Sequence, residues 1–179
     1  HAEKGLVVEN LLIDNEGKTV AQTKTTSDVE KRLTVENAQL WSPETPYLYK
    51  LVTRLYRNNR LVDETSEKVG IRTVRVAQYD GFLLNGKQRK IKGVCLHHDL
   101  GPLGAAVNKA ALIRQIRTMK DMGCDAIRTA HNMPSTWQME VCDSMGMMVM
   151  AESFDMWIYP KCKNGYALNF KEWADRDIE

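Results

Sequence analysis

The chain has 179 residues, of which 25 are basic and 23 acidic, for a formal net charge of +2, and 43% are hydrophobic. So even a balance leaves no concentrated basic surface for nucleic acid or an anionic membrane, and no apolar run approaches the ~18 residues of a spanning helix. The length suits one ordinary domain or two small ones. The opening residues HAEKG contain no apolar stretch of the kind a secretion signal carries. The cysteines at 95, 124, 142 and 162 show no CxxC spacing, so no zinc framework is expected. Cys95, Cys124 and Cys142 stand among apolar residues and read as small core fillers. Cysteine usage leaves the compartment open between cytoplasm, periplasm and the outside.

Residues 1–76 read as all-β. Strands are expected at 6–13, 19–24, 32–35, 47–57, 60–65 and 68–74, with turns at Asp14-Asn15-Glu16-Gly17 and Asn58-Asn59. Along 47–57, Tyr49, Leu51, Thr53 and Leu55 fall on one face, and Lys50, Arg54 and Tyr56 on the other. That alternation predicts a strand with one face on a core. Short strands without helical pattern suggest an immunoglobulin-like sandwich, which takes ~100 residues; this stretch is short by a strand or two.

From residue 77 the pattern changes. Phe82 to Lys87 is a hairpin around Asn85-Gly86. A strand at 91–96 ends in His97-His98-Asp99, and a loop with Gly101, Pro102 and Gly104 follows. Asn108 is placed to cap a helix reaching Met122, with Leu112, Ile116 and Met119 inward and Gly123 as its stop. A second strand, 125–130, hands over to His131 and Asn132. Ser135 then caps a helix, with Gln138 completing a capping box. Its expected buried stripe is Trp137, Val141 and Met145, and Gly146 ends it. The apolar run 147–151 is a third strand and hands over to Glu152. Residues 170–179 open a third helix. Strand–helix–strand–helix–strand, entered through a hairpin, predicts the start of a (β/α)8 barrel, which takes ~250 residues when whole. The expectation is therefore a multidomain β plus α/β chain: a partial sandwich over 1–76, then the first units of an incomplete TIM barrel over 77–179. On this reading the chain is cut at both ends. In such barrels ligands sit beyond the carboxyl ends of the strands, where the polar residues after each strand stand.

Four segments resemble glycoside hydrolase family 2, which includes β-galactosidase, β-glucuronidase and β-mannosidase. Trp41-Ser42-Pro43-Glu44-Thr45-Pro46-Tyr47-Leu48-Tyr49 is similar to the LWSPExPYLY segment of its immunoglobulin-like domain. Gly70-Ile71-Arg72 is similar to the GIR that leads out of it. Lys92-Gly93-Val94-Cys95-Leu96-His97-His98-Asp99 resembles the first barrel strand with its histidine. Ile127-Arg128-Thr129-Ala130-His131-Asn132-Met133-Pro134, with Cys142-Asp143-Ser144-Met145-Gly146, resembles the family's first signature. The resemblance spans nearly the whole chain. It implies a retaining exo-β-glycosidase, with a sandwich before residue 1 and the rest of the barrel after Glu179. The first-strand motif looks most like the β-galactosidase branch. The family's acid/base carboxyl belongs to an Asn-Glu pair on a later strand. The only such pair here, Asn15-Glu16, lies in a β-turn. Neither catalytic carboxylate is therefore placed in this chain, and the chain alone is expected to be inactive.

The resemblance places substrate-facing roles on His97 and His131, against the plainer reading of loop or core-edge histidines bonded to carbonyls. Asn132 either meets sugar or shapes the turn; His98 and Asp99 match the family less well. Arg128 inside strand two must be paired, either holding a carboxylate of the site or in a plain ion pair. Glu152 and Asp155 are placed to accept from sugar hydroxyls. The family often has Asp-Glu where this chain has Ala151-Glu152, which weakens any transfer of metal ligation; no metal and no cofactor is expected. Trp157 either stacks on a sugar or packs against the rim. Met145, Met147, Met148 and Met150 read as core. The implied partners are a carbohydrate, the remaining domains of the parent protein and, through unfinished strand edges, further copies of the chain. Two other readings stay open. A metal-dependent barrel hydrolase is disfavoured because His97 and His98 are adjacent and alternate across a strand. A non-catalytic carbohydrate-binding protein fits the sandwich but not the signature.

Overall fold

The structure is a computed structural model that describes residues 5–26 and 30–179; the opening HAEKG falls largely outside them. It divides into two compact units, His1–Arg89 and Lys90–Glu179.

The first unit is built on one antiparallel sheet of β1 (Leu6–Ile13), β2 (Thr19–Thr26), β3 (Tyr49–Arg57) and β4 (Arg60–Val69), in the order β2-β1-β3-β4. Asp14 Oδ1 accepts from the amides of Glu16 at 3.0 Å and Lys18 at 2.8 Å and so ties the β1–β2 turn. Asn58 and Asn59 both take positive φ, 49° and 64°, which matches the right-handed twist of the β3–β4 hairpin. The expected strands 60–65 and 68–74 differ from what forms. β4 runs unbroken through Ser66 and Glu67 because β3 offers it a partner along its whole length, to Tyr49↔Val69. Residues 32–35 alternate inward and outward but pair with no strand among the described residues; alternation sets side-chain direction, while a ladder also needs a neighbour. On β3 the one-faced core is also corrected. Val52, on the face of Lys50 and Arg54, is 4% exposed and more buried than Leu51. Arg54, Tyr56 and Glu9 fill the rest of that face, with Arg54 Nε also on Glu64 at 2.7 Å.

β5 (Val74–Ala77), β6 (Gly81–Leu84) and β7 (Lys87–Gln88) form a second small sheet in the same unit, turned by Asn85 and Gly86 at φ 52° and 75°. Asn85 also bridges: its Nδ2 donates to the Trp41 carbonyl at 3.0 Å, and its Oδ1 accepts from the Thr73 amide at 3.0 Å. Arg89 grips Glu44 with two bonds, 3.0 and 2.6 Å. That guanidinium, above all through its hydrogen bond, holds the Glu44 carboxyl down at about 2, from an ordinary 4.5. A depressed carboxylate stabilises the fold above its ordinary value, and the contribution is lost as pH falls through about 2. Glu44 is well exposed, so the stability at stake is small. Arg89→Ala should return the Glu44 midpoint towards 4.5 in an NMR titration; an unmoved midpoint contradicts this pairing.

The second unit is a run of β/α repeats. β8 (Gly93–Leu96), α1 (Lys109–Asp121), β9 (Ala126–Thr129), α2 (Thr136–Met145) and β10 (Met148–Met150) follow in order. The strands are parallel in the order β10-β9-β8. Asn108 accepts from the Ala111 amide at 3.0 Å and Ser135 from the Gln138 amide at 3.2 Å, so both expected caps form. Leu112 and Ile116 of α1, Ile127 of β9, and Val141, Cys142 and Met147 make the core between helices and sheet. Burial pushes the Cys142 thiol up to about 12 and leaves it inert. The α2 stripe is corrected: Trp137 is 47% exposed, and Gln138, Val141 and Cys142 are buried. Spacing 138, 141, 142, 145 is the i, i+3, i+4, i+7 face, and Trp137 lies one residue, ~100° of helix, off it. Met150 is also exposed, at 59%. Beyond a short 3-10 turn at Tyr166–Leu168 comes α3 (Phe170–Ile178).

Gly93 is required where it stands. A Cβ there would lie 2.6 Å from the Ala126 carbonyl oxygen, a backbone atom of the paired strand. Gly93→Ala should cost about 1–3 kcal/mol by overpacking, read as a lower denaturant midpoint; an unchanged midpoint would show that β8 and β9 approach less closely.

Candidate functional site

Register decides what the strands carry on the face away from the helices. Val94 and Leu96 of β8 pack on the helical core, so Cys95 faces the other way. It pairs with Arg128 of β9, which pairs in turn with Met150 of β10. Arg128 Nη1 lies 3.4 Å from Cys95 Sγ. The reading of Cys95 as a core filler is thereby corrected; Cys124 and Cys142 do pack with the core. That sulfur, opposed by partial burial and followed by the Glu152 charge, raises Arg128 above its already high ordinary value.

Beyond the strand ends the polar residues converge. Arg128 Nη2 stands 2.6 Å from Glu152 Oε2. The contact is short and charge-assisted, so the buried Oε2 is already partnered by the guanidinium. Glu152 Oε1 is 3.3 Å from His131 Nδ1, and Arg128 Nη2 is 3.4 Å from the same nitrogen. The Glu152 amide donates to Thr129 Oγ1 at 3.0 Å, fixing the chain leaving β10 against the end of β9. Asp155 Oδ1 stands 4.0 Å from His131 Nδ1. Lys161 holds Asp155 and, chiefly by that hydrogen bond, keeps its carboxyl below the ordinary range. The His97 ring meets His131 edge-on, centroids 5.3 Å apart at 78°. His97, Arg128, His131, Glu152 and Asp155 thus form one cluster, built from the downstream ends of three successive parallel strands.

The other candidates lie outside it. His98 turns away to the Ala105 carbonyl at 3.0 Å, and Asp99 accepts from the Gly101 amide at 2.7 Å, so both shape their own loop. A cleft of ≈ 280 Å³, open to solvent, passes His97 and His98 and reaches Gln138 at the start of α2. Asn132 is exposed, and no described residue bonds its side chain. Trp157 is 64% exposed and stacks one face on Phe170, 6.0 Å between centroids and 13° between planes; its other face is open. Among the described residues no three His, Cys, Asp or Glu side chains converge as a metal cradle. Sequence reasoning passed over Lys161 and misassigned Cys95. Strand alternation was the signal for Cys95; Lys161 had none, because its partner lies across an irregular loop.

The model for glycosyl hydrolases family 2 matches residues 1–72, and that for the family's TIM barrel domain matches residues 74–170. The chain belongs to glycosyl hydrolases family 2. Residues 1–72 thus correspond to the family's immunoglobulin-like domain and residues 74–170 to the start of its TIM barrel, so the small sheet β5–β7 of the first unit goes with the barrel match. Among curated family 2 relatives, the β-galactosidase BoGH2A of Bacteroides ovatus is 45% identical over 98% of this chain and 22% of its own length. A putative β-glucuronidase of Formosa agariphila is 37% identical over 99% of the chain and 18% of its own length. The chain thus spans about a fifth of the curated relatives it matches. A β-glycosidase structure from Bacteroides vulgatus superposes with a TM-score of 0.87 at 36% identity, over 99% of this chain and 23% of that one. A family 2 member from Bacteroides cellulosilyticus gives 0.86 at 38%, over 97% and 23%.

Proposed function

We propose that this chain is part of a retaining exo-β-glycosidase, a β-galactosidase in the first instance, that hydrolyses terminal β-linked sugars. The sandwich portion is assigned to 1–76 and the barrel portion to 77–179. The observation that carries the reading is the His131–Glu152–Arg128 cluster at the strand ends of the family's barrel domain. Sugar hydroxyls need paired donors and acceptors held rigidly, and this cluster supplies both. Imidazoles at His97 and His131 exchange hydrogen bonds with hydroxyls. The Glu152 carboxylate, partly exposed, accepts from a sugar hydroxyl. Arg128 fixes that carboxylate in place. Asn132, Asp155 and the open face of Trp157 complete the contacts. A carboxylate near the anomeric centre also favours the positive charge that develops there.

The acid/base and the nucleophile of such a reaction stand ~5–5.5 Å apart across the bond they break, and we assign neither to this chain. A general acid must hold a proton near neutral pH. Asp155 is held in its charged form by Lys161, which disqualifies it as that acid.

A β-glucuronidase is the second reading, supported by the Formosa relative's description. The galactoside is preferred because the BoGH2A match is stronger and because two rim carboxylates accept from neutral hydroxyls but repel a uronate. The parent protein should be screened against nitrophenyl β-galactoside, β-glucuronide and β-mannoside. Fastest turnover of the galactoside is expected. Preference for the glucuronide would overturn the sugar assignment, and no turnover of any would overturn the enzyme.

A further inference from the structure

The segment after β10 reaches α3 through an irregular loop that carries two of the proposed sugar contacts, Asp155 and Trp157. Such a loop has no ladder to hold it, so something else must fix its shape. Lys161 does this with three contacts. Its Nζ donates to the Asp155 backbone carbonyl at 2.5 Å and to Asp155 Oδ1 at 3.0 Å, closing residues 155–161 on themselves. Its amide meets Met156 Sδ at 3.5 Å. Met156 is 6% exposed and lies against Gly165, where a Cβ would overlap its sulfur. One end of the lysine is therefore anchored in packed structure, and the other grips a rim carboxylate.

The grip sets where Asp155 points. The oxygen held by Lys161, Oδ1, is also the one 4.0 Å from His131 Nδ1, beyond hydrogen-bond reach. Around His131 the facing charged and titratable groups are Arg128 from β9, Glu152 and Asp155 from the segment after β10, and His97 from the segment after β8. Glu152, with its own arginine, is the carboxylate nearest His131. Asp155 is kept apart with Oδ2 free: no described residue donates to it. A half-exposed aspartate without the lysine would sample several rotamers and would be drawn towards His131, and ordering it would then fall to the ligand.

We propose that Lys161 is a positioning residue of this site: it closes the Asp155–Lys161 loop and holds the Asp155 carboxylate beside His131 with one oxygen open to a sugar hydroxyl. The inference rests on the reading of this rim as a glycoside site. It predicts a loss in binding rather than in chemistry, because the lysine touches neither the sugar nor the groups that break the bond.

The test is made in the parent protein with nitrophenyl β-galactoside. K161M should raise KM about tenfold with kcat within about twofold and the melting temperature unmoved; one tenfold step is about 1.4 kcal/mol of ground-state binding. Galactose affinity by calorimetry should fall by the same factor. K161R, which keeps the charge and the reach, should restore both. In a D155A background K161M should add nothing further, because the lysine acts through that carboxylate. A wild-type KM in K161M, or an equal K161M effect with and without Asp155, overturns the proposal. So does an early-melting K161M whose kcat falls with its folded fraction, since that places the lysine in the fold alone. Wild-type protein that neither hydrolyses nor binds any sugar would instead fail the glycoside reading, and this inference with it.

Discussion

His131→Ala in the parent protein should lower kcat/KM for its glycoside by about 10²-fold or more while leaving the melting temperature in place. The size follows from what a well-placed hydrogen-bonding group contributes to a transition state, ~2.7–4 kcal/mol. The selectivity follows from where His131 sits. It is the centre of the polar cluster, with Glu152 at 3.3 Å, Arg128 at 3.4 Å and the His97 ring edge-on. Yet it belongs to none of the buried apolar positions that hold the helices to the sheet. Removing it leaves the Arg128–Glu152 ion pair intact, so no unpaired charge is stranded. Steady-state kinetics and a thermal melt on the same sample separate the outcomes. A collapsed melt with normal activity per folded molecule would make His131 a structural residue.

Trp41→Ala should have the largest effect on stability, about 3–5 kcal/mol for loss of a fully enclosed aromatic. Trp41 is 1% exposed. The Arg72 guanidinium stands 4.9 Å from its ring centroid, adding a cation–π attraction. Gly70 lies so close that a Cβ there would come within 3.0–3.1 Å of the tryptophan. The backbone of Trp41 is held as tightly, its amide donating to the Ile71 carbonyl at 2.8 Å and its carbonyl accepting from Asn85. The tryptophan therefore joins three separate stretches of the first unit: its own, 70–72 and the Asn85 turn. Equilibrium unfolding in urea measures the loss; a change under 1 kcal/mol would show that the pocket closes around the missing ring.

These two residues also show how unevenly the sequence speaks. Trp41 and Gly70-Ile71-Arg72 stand out as separate motifs, and only the fold explains why they travel together: the glycine makes room for the ring and the arginine covers it. The parallel repeats were legible because capping and periodicity are local. Asn108 and Ser135 each satisfy a helix amide a few residues ahead, which a linear pattern contains. Face assignment was less secure. A one-residue error put Trp137 inside α2 and left Gln138 out, since neighbouring positions differ by ~100° around a helix. The strand at 32–35 failed for the opposite reason: its pattern was right, and no described strand pairs with it. Of the site, the residues directly following strands were legible, because barrel topology places them at one rim. The lysine that grips Asp155 was not, because nothing periodic links positions across an irregular loop.

The central claim is that His131, Glu152 and Asp155 meet the sugar. It is tested most directly by a crystal structure of the parent protein bound to a galactose-configured iminosugar. Ligand oxygens or nitrogens are expected within about 3.2 Å of His131 Nε2 and of the Glu152 carboxylate, ordinary hydrogen-bond distances, with the Lys161–Asp155 contact retained. An inhibitor seated elsewhere, with His131 and Glu152 bonded only to each other, would contradict it.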